Sequence, residues 1–299
     1  MSAPHVDAQR IREHVERLGE KHPPVALDSA DFTLRDAAAV RARFAEPLDY
    51  MARVEMEVER NVLELAVLLP GVSETDRLFY ADVWGPQEEH HGILLDTLVQ
   101  RLGLPATRPD LGSVPPRVRV LGALAHLPVV HEVIRLLYYL TGAATEKSAM
   151  MAYQAMSDGL GEMGETAVKR SVVDAIKVQE PGHFAFYRLS ALEMVQRGVL
   201  APWQLHLARF LRSRSFGLVG ARTPDERAGF GSVIVQLGLD DEMERMVRDI
   251  TRIETQLLWA HERGMDVPPY ALRAFRDAAE LYRERRPVAA TGLVPEYAA

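Results

Sequence analysis

Two Glu-x-x-His motifs, Glu88/His91 and Glu180/His183, each fall on the apolar seam of a long stretch with helical periodicity. Trp84, Glu88, His91, Leu95 and Leu98 recur at alternating spacings of four and three. Val173, Ile176, Glu180, His183 and Tyr187 do the same. Residues spaced this way share one helix face. A carboxylate on a face otherwise built for burial is costly unless something compensates its charge. Two such carboxylates, each with an imidazole one turn on, are compensated by divalent metal. Of the ten histidines, only His91 and His183 follow a glutamate by three residues.

The rest of the chain reads as more helix. Periodicity predicts helices at 37–70, 75–102, 127–158, 163–198, 201–215, 226–263 and 269–285, and almost nothing alternates as a half-buried strand would. Pro70-Gly71, Gly103, Gly159-Leu160-Gly161 and Gly198 punctuate these runs, and Asp240-Asp241 can interrupt the sixth. Helices this long exceed the globular average and imply an extended bundle. The expected organisation is an N-terminal extension over 1–30, loosely held or wrapping the body, one helical domain over 31–286, and a tail over 287–299.

The third long helix adds one acid to an inner face: Tyr139, Gly142, Glu146, Ala149 and Tyr153 form a seam in which Glu146 is the only carboxylate. On the first, the seam Leu48, Ala52, Glu55, Glu59, Val62, Ala66, Leu69 places both Glu55 and Glu59 inward, with Glu57 and Glu64 mostly on another side. Ferritin-like di-iron bundles use this set: one Glu from each of two helices, and a Glu-x-x-His from each of the other two. The expected fold is therefore all-α, a ferritin-like four-helix bundle core with additional C-terminal helices. Carboxylate and imidazole donors suit iron or manganese, and iron where oxygen is activated.

Composition narrows the function. The 299-residue chain has no cysteine, which excludes disulfides, thiolate metal sites and cysteine nucleophiles and makes a reducing cytoplasm the expected compartment. No window approaches a membrane span, and the charged N-terminus lacks the apolar core of a signal peptide. A net charge of −7 argues against nucleic acid as the main partner.

At these residues the chain resembles the soluble acyl-carrier-protein desaturases. Trp84-Gly-Pro-Gln-Glu88-Glu-His-His91-Gly92 is similar to the family's W-T-A-E-E-N-R-H-G, and Gln179-Glu180-Pro-Gly-His183-Phe-Ala-Phe-Tyr187 to its D-E-x-x-H-x-x-x-Y. Thr145-Glu146-Lys147 sits where the family has Q-E-R or Q-E-L. Glu59-Arg-Asn-Val62 resembles the first-helix E-[DE]-[NA]-L, which selects Glu59 over Glu55. The motif order agrees over about residues 40–265. The resemblance implies two iron ions (Fe2+), one held by Glu59 and His91, the other by Glu146 and His183, with Glu88 and Glu180 bridging. It also implies insertion of a double bond, with molecular oxygen, into an acyl chain delivered on acyl carrier protein. A ferredoxin-type electron donor and a homodimer come with it.

Three departures stand beside the ligands. Ala149 replaces the family's threonine, Gln179 replaces its aspartate, and Pro181-Gly182 interrupt the fourth-helix motif, where a kink or π-bulge is expected. They leave room for hydroxylation or another oxidation of a smaller metabolite, or for a non-catalytic ferritin-like iron-binding protein. Ile176 stands where the arylamine N-oxygenases carry a further histidine, which counts against that subclass.

Overall fold

The computed structural model describes residues 6–68, 71–111, 116–214, 216–262 and 264–286. Among them no strand forms, and the protein is all-α. The helices are α1 (Ala8–Lys21), α2 (Ala37–Met56), α3 (Val58–Leu68), α4 (Glu74–Arg77), α5 (Gly85–Arg101), α6 (Pro116–Ala125) and α7 (Pro128–Glu162). They continue as α8 (Thr166–Val168), α9 (Asp174–Lys177), α10 (Glu180–Gln196), α11 (Pro202–Arg214), α12 (Pro224–Gln236), α13 (Met243–Leu258) and α14 (Pro269–Arg285). Two π-helical stretches, Leu78–Trp84 and Lys169–Val173, lie inside the second and fourth predicted helices. The expectations that touch Pro70, Leu69 and the tail 287–299, and the side chains of Glu64 and Ala66, lie outside the described residues.

Each interruption has a local cause. Pro86 has no N–H for the carbonyl four residues back, so the turn before α5 widens and the Gly85 N–H reaches Tyr80 O. Pro181 would break a continuous helix. Instead the chain turns at Val178-Gln179 and restarts, which puts Pro181 in the first turn of α10, where a missing N–H costs nothing. The predicted helix 37–70 divides at Glu57, whose N–H bonds back only three residues to Val54 O. Its buried carboxylate takes Arg53 at 2.8 Å and Arg60 at 2.5 Å. The predicted helix 226–263 divides around Asp240-Asp241 into α12 and α13. Gly159-Leu160-Gly161, in contrast, does not end α7. The helix runs through to Glu162, because Gly159 lets Phe44 pack so close that a Cβ would stand 2.8 Å from its ring.

α2 pairs with α5 and α7 with α10; α12 covers α2 and carries α14 on it, while α11 and α13 cover α7. Residues 1–30 carry a helix the periodicity did not predict. Asp7 caps α1 through Arg10 N, and Ile11, Val15 and Leu18 bury its one apolar stripe on α10 and the first π-stretch. Two apolar clusters result. One centres on Phe44, Leu48, Leu95, Leu98 and Tyr153, the other on Phe79, Trp84, Tyr139, Phe186 and Tyr187. Between them lies a layer of buried carboxylates and imidazoles.

Candidate metal centre

The inner seams deliver their polar residues to one place. Glu88, Glu146, Glu180 and His183 offer donor atoms all within 4.8 Å of one another, and Glu55, Glu88 and His91 form a second such group. Glu88 belongs to both. Glu180 faces both imidazoles, with His91 Nδ1 at 3.3 Å and His183 Nδ1 at 3.8 Å. Every one of these six side chains is buried, and the two imidazole rings lie 6.0 Å apart.

Glu59 is not among them. The turn at Glu57 rotates the helix face that follows, so Glu59 in α3 is exposed. Glu55, the other inward carboxylate of the same seam, occupies the cluster and accepts a hydrogen bond from Tyr153 at 2.7 Å. The sequence pattern assumed one continuous helix; a single residue out of helical register changed the carboxylate that faces inward.

The electrostatics are those of unbalanced negative charge. Burial and the neighbouring carboxylates push Glu88 and Glu146 well above the usual carboxylate range. Burial acts the same way on Glu180, but the two imidazoles beside it, His183 and His91, outweigh it and hold that group below its ordinary value. His91 is raised: burial opposes the charge, and Glu180 overcomes it. Glu146 also accepts from Trp84 Nε1 at 3.3 Å.

The imidazoles decide what the site fits. His91 Nε2 meets Gln179 Oε1 at 2.7 Å and His183 Nε2 meets Gln87 Oε1 at 2.6 Å. An amide oxygen only accepts, so both Nε2 atoms carry hydrogen. That leaves each Nδ1 pointing at a carboxylate: His183 Nδ1 lies 2.8 Å from Glu88 Oε1, without hydrogen-bond geometry. Glu88 Oε1, Glu180 Oε1, His91 Nδ1 and His183 Nδ1 are all buried without a hydrogen-bond partner. Buried polar atoms are almost always satisfied. Four that converge on one space, all of metal-ligand type, fit divalent cations. Four carboxylates would balance two such ions. Sequence reasoning assigned no role to Gln87, although its position one residue before Glu88 matches that of Gln179 before Glu180.

No protein-family model, no curated protein and no solved structure matches this chain.

Proposed function

We propose that the chain is an oxygen-dependent di-iron oxidoreductase on a ferritin-like bundle, acting as an acyl-carrier-protein desaturase does. The observation that supports this reading is the convergence of four buried carboxylates with two imidazoles whose Nδ1 atoms face them. Glu55 with His91 would hold one iron, Glu146 with His183 the other, and Glu88 and Glu180 would lie between. The iron pair, when bound and reduced, would supply the electrons that activate dioxygen, and the oxidising power gained from oxygen would remove hydrogen from an unactivated C–H bond. The chain's own residues do the rest. Phe79, Phe186 and Tyr187 wall the site from water on one side. Gln87 and Gln179 fix the two rings, and Tyr153 and Trp84 orient Glu55 and Glu146 by donating to them. Acyl carrier protein, a ferredoxin-type donor and a second copy of the chain complete the proposal.

A second reading, oxidation of a smaller metabolite, is favoured by one feature. Beside Glu55 lies a mostly apolar cavity of about 60 Å³ bounded by Tyr50, Met51, Ala149, Ala152 and Phe230. Pockets that enclose drug-sized ligands hold roughly 300–1,000 Å³, so this one takes a few methylene groups rather than a long chain. Tyr50 also lines a cleft of about 550 Å³ between α2, α12 and α14, bordered by many charged residues. Its hydroxyl donates to Gly220 O at 3.3 Å. The Tyr50 ring thus borders both spaces.

Mass spectrometry separates the readings. Reduced, iron-loaded protein is given oxygen and acyl chains on acyl carrier protein. A product lighter by two hydrogens is the expected result. A product heavier by one oxygen favours the second reading, and no change in any acyl chain overturns the first.

A further inference from the structure

We infer that the segment His22–Val25, which follows α1, is a positioning strap for the metal centre: it dictates the orientation of both ligating imidazoles through Gln87 and Gln179. The inference rests on the metal reading above and extends it to residues outside the bundle.

Four hydrogen bonds tie this part of the chain to the two Glu-x-x-His motifs. Gln87 Nε2 donates to His22 O, and Gln179 Nε2 donates to Pro23 O at 2.7 Å. His90 Nδ1 donates to Val25 O at 2.9 Å, and His14 Nε2, in α1, donates to Gly182 O at 2.8 Å. A backbone carbonyl accepts and cannot donate. The amide nitrogen of each glutamine must therefore face the strap, and its oxygen must face the ring. That oxygen demands hydrogen on Nε2, and Nδ1 is left for the metal. The chain of requirements runs from a carbonyl in the strap to the tautomer of a ligand. It crosses over: Gln87 of α5 serves His183 of α10, and Gln179, which precedes α10, serves His91 of α5.

The strap's sequence suits the task. Pro23 and Pro24 carry no N–H and have a fixed φ, so the segment can offer its carbonyls to the site with few donors of its own to satisfy and little freedom to lose. Gly182 makes room for α1, the helix that leads into the strap, since a Cβ there would stand 2.2 Å from Leu18. Gln179 and Gly182, two of the residues that depart from the desaturase pattern, thus serve one unit: Gln179 holds the strap, and Gly182 seats the helix that leads into it.

The test uses the full chain and Co2+ as probe. Gln87→Leu and Gln179→Leu are each expected to weaken Co2+ binding by about 10–100-fold, the usual cost of losing a hydrogen bond to a ligating histidine. Gln179→Glu keeps an acceptor for His91 without a donor for Pro23, and needs no strap to orient it. It should bind Co2+ within about threefold of the wild type (an effect below ~1 kcal/mol). Leu18→Asn, which loosens α1 without touching the bundle's ligands, should speed hydrogen exchange over residues 8–26 and weaken Co2+ binding. In a Gln87→Glu/Gln179→Glu background it should no longer affect Co2+. Unchanged Co2+ affinity in Leu18→Asn despite faster exchange overturns the inference, and so does an equal loss in both backgrounds. A wild type that binds no Co2+ overturns the metal reading instead. The strap is then judged on the metal-free chain, where Leu18→Asn must expose the Nε2–H groups of both His91 and His183 to exchange; if it leaves them protected, the inference fails.

Discussion

The two flanks of the cluster are closed by different means. On the strap flank, Gln87 and Gln179 are nearly inaccessible and bond in both directions, to an imidazole and to a backbone carbonyl. On the aromatic flank, Phe79 and Phe186 stack with ring centroids 3.7 Å apart, Tyr80 and Tyr187 stand edge-on to both, and Trp84 lies near-parallel to Phe79. Hydrogen bonds specify direction, and a ligand must be aimed. Packed rings specify volume, and they exclude water. Aiming of the donor atoms and exclusion of water thus fall to separate groups, even though both flanks meet at His183.

Phe186→Ala gives the largest effect that could break this separation. The ring is fully buried, and removing it is expected to cost about 3–5 kcal/mol in chemical denaturation. The protein that stays folded should bind metal as before. Loss of metal without loss of stability would erase the distinction between the flanks. A smaller effect sharpens it. Gly142 in α7 faces Tyr187 so closely that a Cβ would stand 2.3 Å from the ring. Gly142→Ala should therefore cost about 1–3 kcal/mol by overpacking, although alanine is otherwise the better helix residue. A gain in stability would mean that Tyr187 is free to move.

Much of this arrangement is legible in the sequence because burial and helical spacing act together. Glu88, His91, Glu146, Glu180 and His183 lie on seams whose apolar members, among them Leu95, Leu98, Ile176 and Tyr153, are buried. The α14 boundaries follow from Pro269 and the apolar stripe that ends near Tyr282. What escaped depends on single residues or distant partners. Glu57 leaves helical register to hold Arg53 and Arg60, and that turn takes Glu59 to solvent and leaves Glu55 inside. No periodicity encodes such a local trade. α1 shows only Ile11, Val15 and Leu18 on its buried face, a stripe too short to stand out in a charged segment. The Gln87–His183 and Gln179–His91 bonds join residues 96 and 88 positions apart, and only the folded chain brings them together.

The most direct measurement is iron content after anaerobic loading with Fe2+ and removal of excess metal. The wild type should retain about two iron ions per chain, as a di-iron carboxylate site requires. Glu55→Ala and Glu180→Ala should lose most of it, and Glu59→Ala should retain all of it. Iron no higher than in a denatured control, or equal loss from Glu59→Ala and Glu55→Ala, would contradict the account.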